Sequence, residues 1–191
     1  MQYKYIQPQR LLNIYDEIFT AESVLTKEAC NLLINSFSEQ CKSATVAGVN
    51  DGQRNNLNTV AISSHPVVSE IKKYCSQITK TNILFQEEAQ FIKYEPSMYY
   101  EEHYDFFENP YAMLPSQFGK QRWYSILFYL NSGKKGGETR FPKFKMSFKP
   151  EAGKMLMWKN LKNNQPNYDM LHESKPTDSW TKYALILWIR M

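Results

Sequence analysis

From about Leu84 onward the chain is written in short apolar runs, "AQFIKYEP", "RWYSILFYLN", "GKMLMWK" and "KYALILWIR", divided by Gly, Pro and Asn. The runs are rich in aromatic and β-branched residues, and several are apolar at successive positions rather than alternate ones. That is the pattern of strands covered on both faces. Parallel strands need long crossovers, usually helices, and none separates these runs, so the spacing argues for a sandwich or barrel over a parallel αβ sheet.

The N-terminal part reads differently. In "LTKEACNLLINSF" the apolar residues Leu25, Ala29, Leu32, Leu33 and Phe37 recur at helical spacing, with Thr26 placed as N-cap and Glu28 in the first turn. In "SSHPVVSEIKKYCSQIT" Val68, Ile71, Cys75 and Ile78 make a second stripe, with Ser64 or Ser63 as the expected cap and Pro66 near the first helical position. The expected architecture is mainly β with helical cover, an α+β arrangement. Residues 1–83 form a mainly helical support and 84–191 a barrel or jelly roll, within one domain spanning 1–191.

A chain of 191 residues, 42% hydrophobic and 15% aromatic, can bury a sizeable core, which excludes disorder as its default state. The formal charge of +4, from 23 basic and 19 acidic residues, is too balanced to predict nucleic-acid binding. The lysines from Lys134 to Lys162 read as a solvated surface. "MQYKYIQPQR" lacks the apolar core of an export signal, and no run approaches the roughly 20 apolar residues of a spanning helix. Cys30, Cys41 and Cys75 are odd in number and lack CxxC spacing, which disfavours a disulfide framework or a structural zinc site. These features suggest a cytoplasmic protein with no membrane partner.

Chemistry is confined by a shortage of histidines. There are three, and His65 opens the second helical stripe, where a surface or capping role suffices. That leaves His103, in "EEHYDFFENP", and His172, in "YDMLHESKP". His103 and Asp105 are two apart, and on a strand such residues share a face. Two imidazoles and one carboxylate make the facial set that holds non-haem Fe(II) and leaves positions open, although two satisfied structural histidines fit the same residues. In the last run Lys182 shares its parity with Ala184, Ile186 and Trp188. An ammonium on an apolar face either reaches water at the strand's start or meets an anion.

The order and spacing of His103-x-Asp105, "GGETRFP" at 136–142, His172, Lys182 ten residues later and Trp188 six after that resembles the Fe(II)- and 2-oxoglutarate-dependent dioxygenases of the prolyl 4-hydroxylase family. The resemblance covers roughly residues 9–191, including "EIFTAESVLTKEACNLLI", which looks like the family's opening strand and helix. It implies a double-stranded β-helix core, jelly-roll or cupin-like, with helices packed on it. It also implies Fe(II) bound by His103, Asp105 and His172, and 2-oxoglutarate held at its distal carboxylate by Lys182 and Tyr94 with Thr139 close by. Tyr100, Arg122, Trp188 and Arg54 match substrate-side residues, Arg54 preceding a mobile substrate loop. For the aromatics among these, core packing is the plain alternative. The doublet Gly136–Gly137 suits a turn or bulge better than a ligand.

The activity so implied is hydroxylation of peptidyl proline to 4-hydroxyproline with O2, giving succinate and CO2, with ascorbate as a possible helper. An intact carboxylate at Asp105 points to hydroxylation, since related halogenases carry a small residue there. Lysine at 182 resembles the collagen-type enzymes, whereas the oxygen-sensing type generally has arginine, a planar fork in place of a point charge. With the last expected strand running to the C-terminus, the chain is expected to lack the added domains of animal collagen hydroxylases. A compact bacterial or viral enzyme acting on a cytosolic protein, in the host cytoplasm if viral, is therefore expected. The segments 106–122 and 52–58 are expected to become more ordered when peptide binds. The same iron chemistry on a free amino acid, small molecule or nucleic acid remains open, as does a noncatalytic or zinc-binding barrel.

Overall fold

The computed structural model describes residues 3–15, 17–44, 54–107 and 121–191. In chain order the elements are β1 (Leu12–Tyr15), β2 (Ile18–Ala21), α1 (Lys27–Phe37), β3 (Lys42–Ser43), β4 (Leu57–Ala61), α2 (Pro66–Thr79), β5 (Ala89–Tyr94) and β6 (Tyr100–His103). They continue as β7 (Arg122–Tyr129), β8 (Thr139–Phe141), β9 (Met146–Phe148), β10 (Met155–Lys159), β11 (Leu161–Lys162), β12 (Gln165–Pro166), β13 (His172–Ser174) and β14 (Lys182–Arg190). Eight strands form a large antiparallel sheet in the order β1-β2-β10-β7-β14-β5-β4-β3, and four form a smaller one in the order β6-β13-β8-β9. The four long runs singled out by sequence become β5, β7, β10 and β14, which lie together in the large sheet.

Their double-sided apolar pattern has a direct structural cause. Phe91, Ile126, Phe128, Met155, Met157, Leu185, Leu187 and Ile189 pack into one cluster with Ala29, Leu33 and Phe37 of α1 and Val68, Ile71 and Cys75 of α2. The intervening residues Ile92, Leu127, Tyr129, Leu156, Trp158, Ala184, Ile186 and Trp188 form a second cluster with Phe141 and Phe148 of the smaller sheet. Alternate residues therefore serve two cores, one under the helices and one between the sheets. This is the jelly-roll layering expected, with helices outside the large sheet.

Thr26 caps α1 as expected, its hydroxyl accepting from the Ala29 N–H at 3.1 Å. The second cap differs from expectation: His65 stands at the cap position of α2 without a side-chain capping bond, ahead of Pro66. Ser63 is engaged elsewhere, donating to Glu88 Oε2 at 2.6 Å and accepting from Lys72 Nζ at 2.8 Å. Residues 1–83 are also less purely helical than expected, because β1, β2, β3 and β4 extend both ends of the large sheet. These strands are two to five residues long, too short for alternation to reveal them.

Cys30, Cys41 and Cys75 are free. Lys134, Lys135, Lys143, Lys145, Lys149 and Lys162 are exposed, in keeping with a solvated surface. No described helix is long and apolar enough to cross a membrane. Most of 106–122 and the start of 52–58, where ordering by peptide is expected, lie outside the described residues.

Candidate active site

The site forms where the smaller sheet meets the inner face of the large one. β6 ends on His103 and β13 begins on His172, and the two are register partners in the antiparallel pair. Their ring centroids are 4.3 Å apart. Asp105, in the bend after β6, is buried below them. Its Oδ1 lies 3.8 Å from His103 Nε2 and its Oδ2 lies 3.7 Å from His172 Nε2. These separations are too long for hydrogen bonds and suit donors that share one ion at about 2.1 Å each.

Both imidazoles are turned the same way by the backbone. His103 Nδ1 lies 2.7 Å from the Glu101 carbonyl and His172 Nδ1 lies 2.9 Å from the Met170 carbonyl. A carbonyl only accepts, so each Nδ1 carries the proton and each Nε2 presents a lone pair to the site. Burial, reinforced by the nearby His172, holds His103 well below the ordinary imidazole range, which favours the neutral, ligating form. Burial pushes Asp105 upward, but the charges of His172, His103 and Arg122 and the Ser125 hydrogen bond prevail and keep its carboxyl low. The three side chains form a set that could hold a metal ion.

A buried cation adjoins this set. Lys182 opens β14 opposite Tyr94 of β5 and is 2% exposed. Its ammonium stands 4.0 Å over the Tyr94 ring, donates to the Gly137 carbonyl at 3.0 Å and donates to the Ser174 hydroxyl. Burial pushes it down to about 7, opposed only by the charge of Glu138. It has an ion pair with none of the described carboxylates. Gly136 and Gly137 have φ of +78° and +82°, the turn conformation expected of the doublet, and this turn aims the Gly137 carbonyl at Lys182.

The candidate metal-binding set opens into a cavity. Arg54, Gln90, Tyr94, Tyr100, Thr139 and Trp188 line it together with His103, Asp105 and His172. Tyr100 stacks on His103 with ring centroids 3.5 Å apart, and Arg54 lies 4.3 Å over the other partner of that stack, the Tyr100 ring. Burial raises the Tyr100 phenol to about 12, so it stays a hydrogen-bond donor. The Trp188 indole N–H is buried without a partner among the described residues, an orphan donor that a ligand's acceptor would satisfy. A three-donor set, an unpaired ammonium and an orphan N–H together fit a metal with an anionic cosubstrate.

Comparison with known proteins agrees with that chemistry. The model of the 2OG-Fe(II) oxygenase superfamily matches residues 89–190, more than half the chain. The chain belongs to this superfamily. The oxygenase is 28% identical over 185 residues to a putative prolyl 4-hydroxylase of Acanthamoeba polyphaga mimivirus, covering 92% of this chain and 75% of that protein. Its fold matches the 2OG complex of the viral collagen prolyl hydroxylase from Paramecium Bursaria Chlorella virus-1, with a TM-score of 0.76, 24% identity and coverage of 92% and 96% of the two chains. It also matches a Trichoplax adhaerens prolyl hydroxylase in complex with a hypoxia inducible factor peptide fragment, with a TM-score of 0.65, 16% identity and coverage of 91% and 83%. This oxygenase is thus a dioxygenase with prolyl 4-hydroxylase relatives.

Of the ten site residues expected from sequence, eight line the cavity and Lys182 adjoins it through Tyr94. Arg122 is engaged differently: it stacks 3.8 Å over the Trp188 ring and pairs with Glu87 through bonds of 2.8 and 2.9 Å. Sequence reasoning missed Ser174, Ser125, Asn160 and Glu87. Ser174 shares a strand face with His172, and Ser125 is the one serine in the apolar run "RWYSILFYLN", so both carried a parity signal.

Proposed function

We propose that this oxygenase hydroxylates proline residues within a peptide, with Fe(II) held by His103, Asp105 and His172. The observation that carries the reading is a three-donor set sharing a cavity with Tyr94, over whose ring stands a buried ammonium that forms an ion pair with none of the described carboxylates. When bound, iron and 2-oxoglutarate supply the oxidising power that inserts oxygen from O2 into a C–H bond, with succinate and CO2 as co-products.

The chain's own residues orient and exclude. Lys182 pairs with the distal carboxylate of 2-oxoglutarate, supported by the Tyr94 hydroxyl and the nearby Thr139, whose Oγ1 is fixed by accepting from Tyr129 at 2.7 Å. Trp158 and Phe141 wall His172 at centroid distances of 4.7 and 5.6 Å and keep water from that side. Tyr100, Trp188 and Arg54 face the peptide, and Arg122 acts there through the Trp188 stack. Prolyl specificity is supported by the names of the relatives and by the peptide seen on the Trichoplax protein.

The test is succinate formation with Fe(II), 2-oxoglutarate, O2 and ascorbate, with and without proline-rich peptides, followed by mass analysis. Peptide-stimulated succinate with a one-oxygen gain on proline supports the reading. Turnover without peptide stimulation moves the substrate to a small molecule, and no turnover by iron-loaded protein returns the noncatalytic barrel.

A further inference from the structure

We propose that Ser125, oriented by Asn160, is a positioning residue that holds Asp105 as a one-oxygen metal ligand and so keeps a coordination position open. The proposal rests on the metal-binding reading given above. Ser125 is fully buried on the central strand β7, between Trp158 of β10 and Trp188 of β14. Tyr124 and Ile126 turn toward the helices while Leu127 and Tyr129 turn toward the smaller sheet, so Ser125 shares the face of the site.

Its hydroxyl lies 2.6 Å from Asp105 Oδ2 and 2.8 Å from Asn160 Nδ2. An ionised carboxylate only accepts and an amide NH2 only donates, so the direction of the chain is fixed: Asn160 donates to Ser125, which donates to Asp105. Each bond polarises the next, which strengthens the one on Oδ2. Asn160 is itself anchored, its N–H donating to the Trp123 carbonyl at 2.8 Å and its carbonyl accepting from Asn167 at 2.9 Å. Its side-chain oxygen is buried without a described partner, a cost that packing alone does not explain.

The consequence is an asymmetric carboxylate. Oδ2 is engaged by a proton donor, and Oδ1, on the His103 side, is left as the stronger metal donor. A carboxylate can ligate through one oxygen or two, and a second bond would occupy a position that cosubstrate or O2 requires. Ser125 is thus placed to set coordination number without touching either substrate.

The experiment titrates metal-free wild type, Ser125→Ala and Ser125→Thr with Co(II), reading affinity and the visible ligand-field absorption. That absorption follows the ligand field, so a change in how Asp105 ligates, with a water displaced by its second oxygen, alters it, which a general loss of stability does not mimic. Ser125→Ala is expected to bind Co(II) roughly ten- to hundredfold more weakly, the usual effect of removing an outer partner of a ligand, and with an altered absorption. Ser125→Thr keeps the hydroxyl and restores both. Wild-type affinity and spectrum in Ser125→Ala, or failure of Ser125→Thr to restore them, overturns the proposal. Wild type that takes up no Co(II) removes the metal-binding reading itself.

Discussion

Lys182 and Tyr94 are register partners across β14 and β5, and the ammonium of one rests 4.0 Å over the ring of the other. The pair places a buried charge beside the candidate metal-binding set with, among the described residues, a carbonyl and a hydroxyl as its hydrogen-bond acceptors. A carboxylate arriving there completes the arrangement.

On the proposed role, replacing Lys182 by Met removes the partner of a desolvated anion while preserving bulk. Losing one member of such a pair costs about 3–5 kcal/mol, so 2-oxoglutarate affinity should fall by roughly two to four orders of magnitude. Co(II) affinity should stay within a few-fold of wild type. Calorimetric titration of metal-free protein with Co(II), followed by titration of the loaded protein with 2-oxoglutarate, measures both, and normal cosubstrate affinity would contradict the proposed role.

The pH dependence of cosubstrate binding has a definite sign. Burial lowers the free-protein pKa of Lys182 to about 7, whereas a bound carboxylate favours the charged form and raises it. Below that value the lysine already carries its proton and affinity is level. Above it, binding takes up a proton, and affinity declines by up to about tenfold per pH unit until the pKa of the complex is passed. Lys182→Arg should flatten the profile, because guanidinium stays charged throughout. A level profile in the wild type would refute this.

Glu87 ties Arg122 to Arg190, accepting from the latter at 2.6 Å. Burial pushes its carboxyl upward, but hydrogen bonds from and the charges of Arg122 and Arg190 outweigh burial and hold it below 4.5. Its contribution to stability is thus present above pH 4.5 and lost as pH falls through the lowered value. Glu87→Gln should destabilise the fold at neutral pH by about 3 kcal/mol, the low end for a broken buried pair because some solvent reaches the group. Urea unfolding should show the gap from wild type narrowing in acid. An unchanged gap would mean that the carboxylate charge is not what holds the arginines.

Gly136→Ala tests the turn behind Lys182, the proposed partner of 2-oxoglutarate. An added Cβ would fall 2.2 Å from the Pro176 carbonyl oxygen, at a φ of +78° that L-residues avoid. Backbone strain of this kind costs about 1–3 kcal/mol, and the clash adds to it. A lowered Tm together with weaker 2-oxoglutarate binding is expected, since the neighbouring Gly137 carbonyl would shift away from Lys182. A variant as stable as wild type would show that the loop relaxes freely.

Much of this arrangement was legible before any coordinates. The four long β runs were readable because both faces of the large sheet are covered, and parity alone placed Lys182, Ala184, Ile186 and Trp188 on one face. His103, Asp105 and His172 stood out because histidine is scarce. The short strands β1, β3 and β4 were hidden, since pairing rather than alternation defines them, and β2 was legible only through the resemblance that reads "EIFTAESVLTKEACNLLI" as an opening strand and helix. Ser125, Asn160 and Glu87 escaped because their roles depend on partners distant in sequence, such as Asp105 for Ser125 and Arg190 for Glu87. Arg122 illustrates the same limit: its stack on Trp188 is a property of adjacent strands that no local motif announces.

The most direct test of the central claim is an anaerobic titration of Fe(II)-loaded protein with 2-oxoglutarate, following the visible metal-to-ligand charge-transfer absorption that arises when an α-keto acid chelates Fe(II). The account predicts a saturable band at one equivalent in the wild type, absent in His172→Ala and, in Lys182→Met, reached only at far higher concentration. No band from iron-loaded wild type, or a band unaffected by both substitutions, would contradict it.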